Sequence, residues 1–177
     1  MISLERRSLE ILVKYSTGLD KKNQPDLFHP ITVERSITER GYQYKLTDLT
    51  ILRCTALLHD IVEDGYLTLD ELREELEKDR QFFILEQFHE IDKIIEYVDI
   101  LTHRKGERYT DYIERVCQNP KTAWIKRMDI WHNMSDERSY GLDQPTIDRL
   151  YLKYINALDI IDERIWEYDP NKGEKEL

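Results

Sequence analysis

No stretch of this chain alternates apolar and polar residues with the period of two that a half-buried strand requires. The nearest approach, Gln81 to Leu85, is absorbed by the longer helical pattern that follows it. Elsewhere apolar residues recur at intervals of three and four, the spacing of an amphipathic helix. The pattern predicts helices near residues 2–16, 30–41, 47–63, 68–78, 80–102, 108–118, 119–134 and 143–168. Several of their ends carry the chemistry a helix terminus needs. Thr68, followed three residues later by Glu71, forms a capping-box pattern. Asn119-Pro120 reads as an N-cap with proline at the first helical position, and Asp48 stands close to another helix start. Gly41, Gly65, Gly106 and Gly141 fall where helices should stop or turn. The expected fold class is all-α.

A chain of 177 residues is long enough for one domain with a full hydrophobic core. No internal repeat, low-complexity segment or linker divides it, so residues 1–168 are expected to form that domain and 169–177 a polar tail. No run has the length and apolarity of a transmembrane helix, and charge from Glu5 onward argues against a signal peptide. Two cysteines, Cys54 and Cys117, lie in apolar helical contexts and read as buried reduced thiols, which favours a cytoplasmic location. The net charge of −10 argues against nonspecific binding to nucleic acid or an anionic membrane. It leaves a small phosphorylated substrate admissible, because a metal and a few lysines or arginines can reverse the field inside one cleft.

The most informative chemistry lies in residues 55–65, Thr-Ala-Leu-Leu-His-Asp-Ile-Val-Glu-Asp-Gly. An adjacent His59-Asp60 pair follows an apolar lead-in, and Glu63-Asp64 follows one helical turn later. On a continuous helix Glu63 would lie below His59 and Asp64 below Asp60. One pair suits a metal and the next suits the handling of a water and its proton. His29, just ahead of Pro30, is expected at the mouth of a helix, and Asp129 lies on another helix. Two imidazoles and two carboxylates suit a divalent ion such as Mn²⁺, Fe²⁺, Zn²⁺ or Mg²⁺. Adjacent residues on an ideal helix point about 100° apart, so His59 and Asp60 reach one ion only if it sits to one side and other elements complete it. Lys126, Asp129 and Asn133 occupy i−3, i and i+4 on one helical face; Lys126 suits a phosphate, and Asn133 suits a substrate or the orientation of a ligand.

Other histidines and aromatics read more modestly. His132 is expected to support or pack rather than ligate, and His89 to lie at the surface or core edge. His103-Arg104-Lys105 follows a long apolar helix, either as cations at its C-terminus or as a phosphate-facing loop. Trp124, Trp131 and Trp166 read as core, and Tyr109 and Tyr112 as candidates for a cleft wall.

Three stretches carry a family likeness: His29-Pro30-Ile31-Thr32-Val33, Ala56-Leu57-Leu58-His59-Asp60-Ile61-Val62-Glu63-Asp64, and Lys126-Arg127-Met128-Asp129-Ile130-Trp131-His132-Asn133-Met134. Their order and spacing resemble the HD-domain phosphohydrolases. Within these they look like the hydrolase domain of the RelA/SpoT proteins and the small stand-alone alarmone hydrolases, over about residues 5–165. The resemblance implies a single-domain HD-type helical bundle. It implies His29, His59, Asp60 and Asp129 as metal ligands, usually for Mn²⁺, with Glu63 and Asp64 activating water and protonating the leaving group. Asn133 and Tyr151 fall where such proteins contact nucleotide, and Lys21 and Lys22 where they carry a basic substrate loop. The reaction implied is removal of the 3′-pyrophosphate from guanosine tetra- or pentaphosphate, with only the hydrolytic half of a long RelA/SpoT protein expected. An HD-type nucleotidase and a noncatalytic nucleotide-binding module are the alternatives, and the oligomeric state is left open.

Overall fold

The computed structural model describes residues 3–18, 27–43, 48–78 and 85–167, apart from the side chains of residues 41–43, 85–86 and 166–167. Lys21, Lys22, most of the Gln81–Leu85 stretch and the 169–177 tail lie outside the described residues. Within them the chain forms α1 (Leu4–Tyr15), α2 (Phe28–Gln43), α3 (Leu49–Leu58), α4 (Leu69–Leu76), α5 (Leu85–Leu101), α6 (Tyr109–Val116), α7 (Pro120–Asn133), α8 (Asp136–Ser139) and α9 (Gln144–Glu167), and no strand. The all-α fold is the one the three-and-four spacing predicts.

Caps begin several of these helices. Ser3 accepts from the Arg6 N–H at the start of α1. Thr68 and Glu71 close a reciprocal capping box on α4, and the Asn119 side chain accepts from the Lys121 N–H with Pro120 opening α7. Gly65, Gly106 and Gly141 take positive φ at the turns, which L side chains adopt only with strain. Gly41 instead continues α2.

The core has two parts that meet along α3. One gathers Leu4, Ile11 and Leu12 of α1, Leu72 and Leu76 of α4 and Ile91, Ile94, Tyr97 and Val98 of α5. The other gathers Val33 and Ile37 of α2, Tyr112, Ile113 and Val116 of α6, Ile125, Met128 and Ile130 of α7 and Ala157 and Ile161 of α9. Helix α3 supplies both, with Ile51, Cys54, Leu57 and Leu58 on one side and Leu52 and Ala56 on the other. Most of this helix is buried, with Thr50 and Arg53 turned to Glu5 and Glu34, and a helix enclosed on most sides is largely apolar. Its C-terminus therefore delivers the residues that follow it to the middle of the molecule. Cys54 is buried and Cys117 half-buried, both with free thiols, and burial pushes the Cys54 thiol up to about 12.

Three further details depart from expectation. Helix α3 stops at Leu58, and residues 59–65 form tight turns rather than the predicted helix to 63. Helix α2 begins at Phe28, so His29 lies within its first turn rather than ahead of it. Trp131, expected in the core, is exposed; its ring faces the guanidinium groups of Arg40 and Arg127 at 4.1 and 4.2 Å. It follows buried Ile130 by about 100° on α7, which turns it outward.

Candidate metal centre

Four residues from three segments converge at the C-terminal end of α3. His29 comes from the first turn of α2, His59 and Asp60 from the turn after α3, and Asp129 from the middle of α7. One ligand atom each from His29, His59 and Asp129, all buried, lie within 4.8 Å of one another. His29 Nε2 stands 2.9 Å from Asp129 Oδ1 and 3.5 Å from Asp60 Oδ2. His59 Nε2 stands 3.2 Å from Asp60 Oδ2 and 3.8 Å from Asp129 Oδ1. The break in the helix after Leu58 explains this arrangement. Adjacent side chains on a continuous helix would diverge by about 100°, whereas the tighter turn, with Ile61 N–H donating to Leu58 O at 3.1 Å, swings Asp60 toward the same point as His59. The same turn buries Ile61 in the core, and Leu67 just beyond it is buried there too.

The orientation of the imidazoles tests whether these residues fit a metal. His59 Nδ1 lies 2.8 Å from the Ala56 carbonyl, which can only accept, so that nitrogen carries a proton. His59 Nε2 is buried, has no hydrogen-bond partner among the described residues, and faces two carboxylates. A nitrogen so placed must hold either a second proton or a cation. His29 is turned the same way, with Nδ1 2.7 Å from His132 Nδ1 and the two rings nearly parallel at 10°. Histidines that ligate metals characteristically tie the outer nitrogen to an acceptor in this manner. The donor set, two imidazoles and carboxylate oxygens, fits a borderline-hard divalent ion.

Asp129 is the most heavily supported member. Lys126 Nζ donates to its Oδ2 at 2.6 Å, and Asn133 Nδ2 donates to its Oδ1 at 2.5 Å. Burial opposes ionisation of Asp129, but Lys126 and the two imidazoles outweigh it and hold the carboxyl well below the usual range. Asp60 is likewise opposed by burial and held at about 2 by His59 and His29. Those carboxylates, against the cost of burial, raise His59 well above its ordinary value.

The cluster opens into a cavity of about 410 Å³ whose lining includes Asp60, Glu63, Asp64, Lys126, Asn133 and Asp129. His103 lines it too, while Arg104 and Lys105 are exposed and Arg104 pairs with Asp99; the basic run thus divides between cleft and surface. Tyr109 and Tyr112 form part of the wall. Tyr151 does not: it is 54% exposed and outside the lining, and Tyr154, nearly one turn further along α9, lines the cavity instead. Lys153 and Arg138, which no sequence pattern singles out, line the cavity beside Tyr154. Lys153 is half-buried with Nζ 3.8 Å from the Tyr109 ring centroid, and burial together with the nearby Lys126 charge lowers its pKa. Arg138, only 6% exposed, lines the cavity from α8, whose N-cap Ser135 was an unread signal three residues upstream.

An all-α bundle with a buried His/His/Asp cluster that could hold a metal ion is compatible with an HD-like bundle, and the chain resembles the RelA/SpoT-like HD hydrolases in sequence. It is 31% identical over 119 residues to a guanosine-3′,5′-bis(diphosphate) 3′-pyrophosphohydrolase of Mus musculus, covering 66% of this chain and 58% of that protein. It is 28% identical over 138 residues to a probable GTP pyrophosphokinase of Mycobacterium leprae (strain TN), covering 77% of this chain and 16% of that one. The chain thus spans less than two thirds of the length of either relative. No protein-family model matches it. Among the described residues no helix is long and apolar enough to cross a membrane.

Proposed function

We propose that the protein is a metal-dependent nucleotide phosphohydrolase that removes the 3′-pyrophosphate of guanosine tetra- and pentaphosphate with water as the nucleophile. The observation that carries this reading is the convergence of His29, His59 and Asp129 within 4.8 Å, with Asp60 beside them and Glu63 and Asp64 on the same cavity lining. The murine relative's named activity supports the choice of nucleotide. His29, His59, Asp60 and Asp129 would hold the ion, with Mn²⁺ the leading candidate. Such an ion supplies Lewis acidity toward water and toward phosphoryl oxygen.

The remaining chemistry belongs to the chain. On this reading Glu63 and Asp64 accept a proton from water and return one to the leaving oxygen. Lys126, fixed against Asp129, Lys153 and Arg138 bring positive charge to the cavity and offset a polyphosphate in a protein of net charge −10. Asn133 fixes Asp129 through its amide N–H.

The test is turnover of the Mn²⁺-loaded protein against a nucleotide panel. Pyrophosphate release from guanosine tetraphosphate is expected. Product from nucleoside monophosphates alone would replace this reading with a nucleotidase, and no product from any nucleotide despite bound metal would leave a binding module.

A further inference from the structure

Glu63 is placed by contact from a distant part of the chain. It is exposed on the turn after α3, beyond the last helical residue. Among the described residues its carboxylate accepts one hydrogen bond, from the backbone N–H of His103 to Oε2 at 3.0 Å. His103 lies in the 102–108 connection between α5 and α6, which has no regular structure of its own. An irregular segment holds a donor in a fixed direction only when something else holds the segment.

Helix α6 does the holding. Arg115 donates from Nη1 to Ile100 O at 2.7 Å and from Nη2 to Thr102 O at 3.1 Å. Its Nε and Nη2 donate to Glu107 Oε1 and Oε2, each at 2.8 Å. Glu107 Oε2 in turn accepts from the Arg104 N–H at 3.1 Å, and His103 Nε2 lies 2.9 Å from Glu107 O. One turn earlier on α6, the Tyr112 hydroxyl donates to Leu101 O at 2.5 Å. The Arg115 and Glu107 side chains are only 22% and 16% exposed, so this is a sheltered, bidentate pair rather than a loose surface one. Only a guanidinium offers a rigid fork of donors that can satisfy two carbonyls and a carboxylate together.

We propose that Arg115 is a positioning residue for Glu63: by clamping residues 100–107 it fixes the His103 amide that orients the Glu63 carboxylate at the cavity. Arg115 is remote from the metal cluster in sequence and element, and the proposal assigns it no contact with substrate. The Arg115 fork also holds the Glu107 carboxyl at about 2, so the clamp stays ionised at any pH suited to assay. The kinetic consequence rests on the phosphohydrolase reading; the structural consequence does not.

Two measurements test the proposal separately. In the first, Arg115→Lys is expected to lower kcat about tenfold, as a small misplacement of a reacting group does, with KM for guanosine tetraphosphate and affinity for Mn²⁺ unchanged. In a Glu63→Gln background the same substitution should add no further loss, because its effect passes through Glu63. Glu107→Gln, which leaves the Arg115 bonds to the carbonyls in place, should give a smaller effect of the same pattern. In the second, hydrogen exchange at the His103 amide should accelerate in both Arg115→Lys and Glu63→Ala while exchange in α7 stays slow. This arm needs no turnover, so a protein inactive toward every nucleotide overturns the function and leaves the positioning to be judged by exchange. Losses that add in the double variant, or His103 exchange indifferent to Arg115, would overturn the proposal.

Discussion

Each imidazole at the centre has two nitrogens with separate duties, and the structure assigns them by what lies opposite. His59 commits Nδ1 to the Ala56 carbonyl and His29 sets Nδ1 against His132, so both present Nε2 to the carboxylates of Asp60 and Asp129. The carboxylates divide by position too: Asp60 and Asp129 face the imidazoles, whereas Glu63 lines the cavity and accepts from a backbone amide. Asp60→Ala should therefore lose Mn²⁺ binding and turnover together, while Glu63→Ala should keep the metal and lose on the order of a hundredfold or more in kcat, the usual contribution of general acid–base catalysis. Calorimetric titration with Mn²⁺ beside a turnover assay separates the two, and full activity in Glu63→Ala would remove the role assigned to it. The family resemblance of three stretches put His29, His59, Asp60 and Asp129 forward together, and the structure brings these side chains close to one another. Lys153, Tyr154 and Arg138 were not legible, because their approach depends on how α8 and α9 lie over α7. Tyr151, on the same helix, is exposed and outside the cavity lining.

At the scale of elements, the helix period was clear while its interruption was not. The apolar run of α3 gives no sign that regular helix stops at Leu58, because Ile61 in the turn after it and Leu67 just beyond are still buried and so keep an apolar pattern. What stops the helix is tertiary: His59 and Asp60 turn toward a common point, and Gly65 takes φ +77° to bring the chain back. The caps of α4 and α7 were legible because capping is local. Between α1 and α4 a different device operates. Glu75 Oε1 accepts from Lys14 Nζ at 2.9 Å, the Tyr15 hydroxyl at 2.7 Å and Lys78 Nζ at 2.5 Å. Partial burial opposes its ionisation, but these donors prevail and lower the carboxyl from 4.5 to about 2. A carboxyl depressed on folding stabilises the fold above its unfolded value and loses that contribution as pH falls through its folded one. The clasp should therefore act fully above about pH 4.5 and fade toward pH 2. Urea unfolding of the native protein and Glu75→Gln should show a stability gap at pH 6 that narrows by pH 3; a gap independent of pH would show that the carboxylate charge contributes nothing.

For the molecule as a whole, the candidate centre lies where the two halves of the core meet. His29 enters with α2 and Asp129 with α7, both of the second cluster, while His59 and Asp60 follow α3, which belongs to both. The four side chains come together only when these helices are packed, so an ion bound by all of them binds the folded state and not the unfolded chain. Ligand linkage then makes metal binding a stability term. At a free Mn²⁺ concentration about a hundred times its Kd, the gain is about 2.7 kcal/mol. For a domain of this size each kcal/mol raises Tm by roughly 2–4 °C, so saturation should raise Tm by about 5–10 °C and a chelator should reverse it. The rise should vanish in His59→Ala, whose ring is buried at the centre, and persist in Glu63→Ala. Thermal denaturation across a Mn²⁺ series in the three proteins measures this directly. An equal rise in His59→Ala would place the stabilising ion elsewhere on this acidic chain, and the convergence of the four side chains would then need another explanation.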